Sequence, residues 1–190
     1  PFNVENLDVI MEKPFGNNLE EAERLINKIK HCKLEKNVHF FDHYNFKDGA
    51  NLNNIKNALN NVELKDSKRT IEINILETLD VSGREGYYDL IGAIKDMFPS
   101  HCYTLLKLSN EIFHLNIDFD SINIEQLKLG QYKGYSVADS NTETSFEIAA
   151  EVSNTKIKFV SGKKLSEKKT SIKYIDESNN IELIIDPSKK

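Results

Sequence analysis

Hydrophobic positions along the chain change period several times, and each change marks an element. Leu7 to Met11 is a short apolar run of the kind a buried strand carries, and Glu12-Lys13-Pro14-Phe15-Gly16 stops it with a proline and glycine turn. Asn18 then stands as an N-cap with Glu21 in the third helical position. Leu19, Ala22, Ile26 and Ile29 recur at helical spacing, which predicts a helix to about Lys30. Val38 to Tyr44 is a second strand candidate. Neighbouring side chains on an extended chain point to opposite sides, so Asp42 and His43 are expected to have separate roles. Gly49 to Asn61 is rich in asparagine and carries a weak helical pattern.

Thr70 to Leu79 alternates most cleanly, with Ile71, Ile73 and Ile75 on one side and Glu72 and Asn74 on the other. That parity puts Glu77 on the isoleucine side, where a carboxylate needs a partner, and a lysine or arginine is the expected one. The segment from Gly83 to His101 gathers an arginine, a pair of tyrosines, Asp96 and His101. Leu90, Ile94, Met97, Phe98, His101, Leu105 and Leu108 fall at helical intervals, so one packing face is expected, kinked at Pro99, which lacks a backbone donor. Ile122 to Tyr135 reads as a loop. Beyond it, Phe146 to Val152, Lys156 to Val160, Ser171 to Ile175 and Ile181 to Ile185 read as an antiparallel meander with one apolar face. The connection from Ser161 to Lys169 holds a glycine and four lysines, a composition that by itself means a solvated loop. The pattern as a whole predicts an α+β fold, a helical layer packed on a mostly antiparallel β-sheet.

Composition narrows the function classes. A chain of 190 residues with a net charge of -5 has no broad basic field, so nucleic acid is not an expected partner, although local lysines can still hold a small anion. Cys32 and Cys102 are far apart and suit neither a disulfide nor a zinc site, so free thiols in a reducing compartment are expected. No apolar run approaches the roughly 20 residues of a membrane span, and a secretory leader pattern is absent, so a cytoplasmic protein without membrane contact is expected. Pro1 in place of Met suggests a longer natural chain. There is no internal repeat, phosphate-cradling glycine loop or dinucleotide fingerprint.

Taken in order, several motifs resemble the substrate domain of glucose-6-phosphate dehydrogenase. They are Glu12-Lys13-Pro14-Phe15-Gly16, Asp42-His43-Tyr44 with Lys47, Glu77, Gly83-Arg84 with Gly86-Tyr87 and Asp89, Gly92, Asp96, His101, Leu129-Gly130-Gln131-Tyr132, and Gly162-Lys163 with Leu165 and Lys168. The Glu-Lys-Pro turn is shared with other sugar and inositol oxidoreductases. The Asp-His-Tyr element and the Gly-Arg-x-Gly-Tyr helix, spaced as they are from Asp96 and His101, are more specific. The resemblance implies that residues 1–17 end a dinucleotide-binding domain and that residues 18–190 form a truncated α+β substrate domain. It implies oxidation of glucose 6-phosphate at C1 with NADP, with no turnover expected in the absence of the rest of the cofactor domain. His101 matches the base and Asp42 the carboxylate that orients it. His43, Tyr44 and Lys47 match the phosphate-binding group, Glu77 and Asp96 the acceptors for sugar hydroxyls, and Lys13 a contact to both sugar and cofactor. Lys163 and Lys168 match further basic contacts, while Arg84 and Asp89 read as structural. The implied partners are glucose 6-phosphate or a related sugar phosphate, and a second copy through the sheet. The chain departs from the family at Asn45-Phe46, Glu85, Pro99-Ser100 and Asp186, and the connection from His101 to Leu129 is short. Rival readings are a non-catalytic sugar-phosphate-binding or dimerisation module, and an enzyme for a different sugar.

Overall fold

The computed structural model describes residues 8–12, 15–16, 18–41, 51–60, 62–64 and 67–186, in two units, Pro1–Phe46 and Lys47–Lys190. The first unit contains strand β1 (Val9–Glu12), helix α1 (Leu19–His31) and strand β2 (Val38–Phe41). β1 pairs with β2 in parallel, which makes the passage through α1 a βαβ crossover. Asn18 caps α1 as expected, its Oδ1 accepting from the Glu21 amide at 2.9 Å. Glu20 and Glu21 in the first turn, with Lys28, Lys30 and His31 in the last, complement the helix dipole. The expected second strand is seen as far as Phe41. Lys13, Asp42, His43, Tyr44 and Lys47 lie outside the described residues.

The second unit begins with helix α2 (Leu52–Leu59) and strand β3 (Arg69–Leu76). Helix α3 (Glu85–Met97), a single π turn (Phe98–Cys102) and helix α4 (Tyr103–Ile112) follow, and then strands β4 (Asn123–Gly130), β5 (Ser145–Val152), β6 (Thr155–Gly162), β7 (Lys169–Ile175) and β8 (Asn180–Asp186). The α+β architecture is the one expected. The six strands lie in the order β4-β5-β6-β3-β7-β8. β3 runs parallel to β6, and the other neighbours pair antiparallel.

Two expectations about the sheet are corrected here. The last strands are not a simple meander, because β3, formed far earlier in the chain, is inserted between β6 and β7. Alternation reports which face of a strand is buried but not which strand lies beside it. The second correction is that Ile122 to Tyr135 is not a loop, since Asn123–Gly130 is an edge strand. Its apolar residues escape the period-two pattern because a bulge between Ile124 and Gln126 shifts parity by one. Ile124, Leu127 and Leu129 consequently pair with Ala150, Ile148 and Phe146, all on one face. All three remain at least half exposed, at 60%, 50% and 56%.

The core lies between the helices and the sheet face that carries Ile71, Ile73, Ile75, Phe146 and Phe159. Met97, Leu105 and Leu106 come from the helical layer. Phe98 meets the Phe159 ring edge-on at 5.0 Å, and Phe113 stacks on Tyr174 at 4.7 Å. The expected packing face of α3 fails at Leu90, which is 81% exposed. Gly92 interrupts the helix at φ 71°, ψ 174°, so residues before it do not share a face with those after it. Ile73 is fully buried in the strand that joins the two halves of the sheet: Ile73→Ala should cost about 3 kcal/mol, read as a lower urea midpoint with an unchanged slope.

Candidate active site

Parallel pairing of β3 and β6 sets Leu76 opposite Gly162, so the next residue on each strand, Glu77 and Lys163, leaves the sheet at the same end. The backbone holds both in place. Glu77 N donates to Gly162 O at 3.0 Å, Leu165 N donates to Glu77 O at 2.9 Å, and Lys163 N donates to Thr144 O at 2.9 Å. Gly162 is required because an added Cβ would lie 2.7 Å from Ser145 Cβ. Lys163 Nζ donates to Glu77 Oε2 at 2.7 Å and lies 3.5 Å from Asp96 Oδ2. Its side chain is only 5% exposed, whereas Glu77 and Asp96 keep 31% and 24%. The lysine-rich connection is therefore not simply a solvated loop. One of its lysines is buried because two carboxylates offset its desolvation, while Lys164 and Lys168 are exposed.

Asp96 and His101 reach this region through an irregular helix. The break at Gly92 restarts α3, so the part carrying Asp96 begins at Ala93. Pro99 then opens a π turn, in which Tyr103 N bonds back five residues to Phe98 O. Ser100 Oγ donates to Asp96 O at 2.6 Å and Thr104 Oγ1 to Ser100 O at 2.9 Å, so hydroxyl side chains bond the backbone one turn earlier on both sides of the widened turn. The irregularity expected at Pro99 is thus a widened turn, and the sharp change of direction comes earlier, at Gly92. His101 sits half-buried in this turn with Nδ1 shielded from solvent.

Tyr88 belongs to the same cluster, and sequence reasoning passed it over. It is 1% exposed, and its hydroxyl has no hydrogen-bond partner among the described residues. Burial, and then the charges of Asp96, Glu143 and Glu77, drive its pKa far above the tyrosine range, so the group stays a neutral donor. Spacing alone did not separate it from Tyr87, which is 50% exposed. Asp89 is structural, as expected. Its carboxylate accepts from Ser140 Oγ and, at 3.3 Å, from Tyr135 OH, and its carbonyl accepts from Thr142 Oγ1 at 2.8 Å. Among the described residues no histidine, cysteine and carboxylate cluster is arranged to hold a metal ion, and no helix is long and apolar enough to cross a membrane.

Two family models match consecutive stretches of the chain: the glucose-6-phosphate dehydrogenase NAD binding domain over residues 3–51 and the C-terminal domain of the same enzyme over residues 53–131. The chain belongs to the glucose-6-phosphate dehydrogenase family. A glucose-6-phosphate 1-dehydrogenase of Helicobacter pylori (strain J99) is 29% identical over 98% of this chain, which spans 50% of that relative's length. Another, cytoplasmic and from Arabidopsis thaliana, is 28% identical over 87% of the chain, which spans 37% of that relative. Among solved structures, the crystal structure of glucose-6-phosphate 1-dehydrogenase from Mycobacterium avium superimposes with a TM-score of 0.76 at 26% identity, over 97% of this chain and 51% of that one. A glucose-6-phosphate dehydrogenase in complex with glucose 6-phosphate gives 0.67 at 25% identity, over 95% of this chain and 47% of that one. A myo-inositol dehydrogenase from Lactobacillus casei, at 12% identity and a TM-score of 0.61 over 97% of this chain and 49% of that one, shares the fold.

Removing the ammonium by Lys163→Met leaves two carboxylates unpaired around an apolar chain, which should cost about 2 kcal/mol in urea unfolding. At Asp89 the hydrogen bonds from Ser140, Thr142 and Tyr135 outweigh burial and hold the carboxyl below its ordinary 3.8. Its stabilisation is present above 3.8 and is lost as pH falls through the lowered folded value. Burial and then the Asp89 charge push Tyr135 up to about 12. Asp89→Asn should flatten the acid-side loss in unfolding curves and move Tyr135 back toward 10.0 in a spectrophotometric tyrosine titration.

Proposed function

We propose that this chain carries the sugar-binding part of a glucose 6-phosphate dehydrogenase, which oxidises the C1 hydroxyl with NADP as acceptor. The observation that carries the reading is the buried Lys163 held between Glu77 and Asp96 in a chain of this family. A hexose offers adjacent hydroxyls, each both donor and acceptor. Two partly exposed carboxylates around one fixed ammonium present the complementary set, acceptors flanking a donor. Lys163 is already paired twice, which suits it to hydroxyls more than to a phosphate dianion. The phosphate is assigned to His43, Tyr44 and Lys47, with Lys168 as a further basic contact.

In this reading His101 takes the C1 hydroxyl proton, the general-base role that a histidine side chain most often fills. Asp42 orients the ring and stabilises the cation formed. Ser100 and Thr104 hold the π turn despite Pro99, which supports a fixed imidazole. NADP, when bound, supplies the hydride acceptor. The β1–α1–β2 crossover and the match over residues 3–51 support assigning that unit, further along the chain than residue 17, to the cofactor-binding portion. No glycine-rich phosphate cradle lies in this sequence, so Lys13 is the one cofactor contact assigned to it. A cytoplasmic location is supported by the Arabidopsis relative.

Replacing His101 with Asn in the intact natural protein should lower kcat by about 10²–10⁴-fold while the calorimetric Kd for glucose 6-phosphate stays within about twofold. Unchanged turnover would sink the base assignment. Sugar-phosphate binding by the wild-type protein without turnover or any NADP effect would favour a binding module instead.

A further inference from the structure

Three consecutive residues outside the sites assigned above connect both carriers of the carboxylate–lysine cluster. Thr142 Oγ1 donates to Asp89 O at 2.8 Å. The Glu143 carbonyl accepts from Ala93 N at 2.9 Å and its Oε1 from Ile94 N at 3.2 Å. The Thr144 carbonyl accepts from Lys163 N at 2.9 Å, its amide donates to Gly130 O at 2.8 Å, and its Oγ1 accepts from Tyr132 N at 2.8 Å. We infer that Glu143 is a positioning residue, through which Thr142-Glu143-Thr144 clamps the helix segment bearing Asp96 against the strand end bearing Lys163.

The geometry explains why these residue types are needed. The helix restarts at Ala93 with amide groups that lack intrahelical acceptors, and Glu143 serves the first two of them from a distant part of the chain. Its carboxylate occupies the space where a Cβ on Gly92 would lie, 2.3 Å from Oε1. Glycine at position 92 therefore serves two ends, a φ of +71° and room for the carboxylate. Asp96 lies one turn beyond the capped amides, so a shift of this helical start moves its carboxylate relative to Lys163 Nζ. The Glu143 charge also contributes to the upward shift of the Tyr88 hydroxyl, which locates the side chain beside the same cluster. The next residue, Thr144, fixes the backbone from which Lys163 projects.

The inference rests on the sugar-binding reading only for its effect on ligand affinity. Glu143→Ala should speed amide hydrogen exchange across residues 93–97 while Ile73 and Tyr174 in the sheet keep their protection, and it should move the Lys163 ammonium resonance. Glu143→Gln retains an acceptor for Ile94 N and should restore most of both signals. If the 93–97 amides and the Lys163 resonance are unmoved in Glu143→Ala, the clamp is overturned. In calorimetry with glucose 6-phosphate, Glu143→Ala should weaken binding about tenfold and should be non-additive with Asp96→Asn. Full additivity would overturn positioning through Asp96. If the wild-type protein fails to bind glucose 6-phosphate, the sugar reading falls. The exchange and ammonium signals then still uphold or overturn the clamp by themselves.

Discussion

Everything at the candidate site depends on β3 and β6 running in the same direction. Because they are parallel and in register, the residues just past their ends, Glu77 and Lys163, emerge side by side although they are 86 positions apart in sequence. An antiparallel pairing would have put them at opposite ends of an eight-residue strand, roughly 25 Å apart at strand rise. The same topology buries the lysine. β6 and β7 flank β3, so the connection between them has to cross the end of β3 and presses Lys163 onto the carboxylate there. An ammonium so placed is stable only with its two partners, and the pocket's charge arrangement is therefore a consequence of strand order.

The helical layer contributes through its irregularities. A continuous α3–α4 helix would carry Asp96 and His101 at angles set by 100° per residue, with no means of adjusting one without the other. Gly92 resets the direction before Asp96, and the π turn resets it again before His101. Specific side chains bond the backbone at each break: Glu143 at the first, Ser100 and Thr104 at the second. Local departures from regular helix cluster around the residues assigned to chemistry, as expected where a fold is bent to suit a site.

Much of this was legible in the residues. The α1 cap, the isoleucine face of β3 and the inward direction of Glu77 follow from local periodicity, and Glu77 found the lysine partner that parity required. The motif order from Asp42 to Lys168 pointed to the family, and the family models agree with it. What could not be read is non-local. The bulge in β4 erased its alternation, and the insertion of β3 has no signature within β3 itself. Tyr88 is distinguished from Tyr87 by which side of the first part of α3 the rest of the unit covers, 1% against 50% exposed. The burial of Lys163 is invisible in a run of lysines, because it depends on two carboxylates that arrive from other elements.

The place of β3 in the sheet also bears on how the chain is made. During synthesis its isoleucines emerge well before β6 and β7 exist to cover either edge. At ribosomal rates the 86 positions that separate Glu77 from Lys163 take roughly 4–17 s to appear. Throughout that interval the eight-residue β3 segment lacks both of its sheet neighbours, and open strand edges are the feature through which chains pair with one another. Glu72 and Asn74, which in the finished sheet line the face away from Ile71, Ile73 and Ile75, break the run of apolar side chains in that segment, the kind of interruption that lowers its tendency to aggregate.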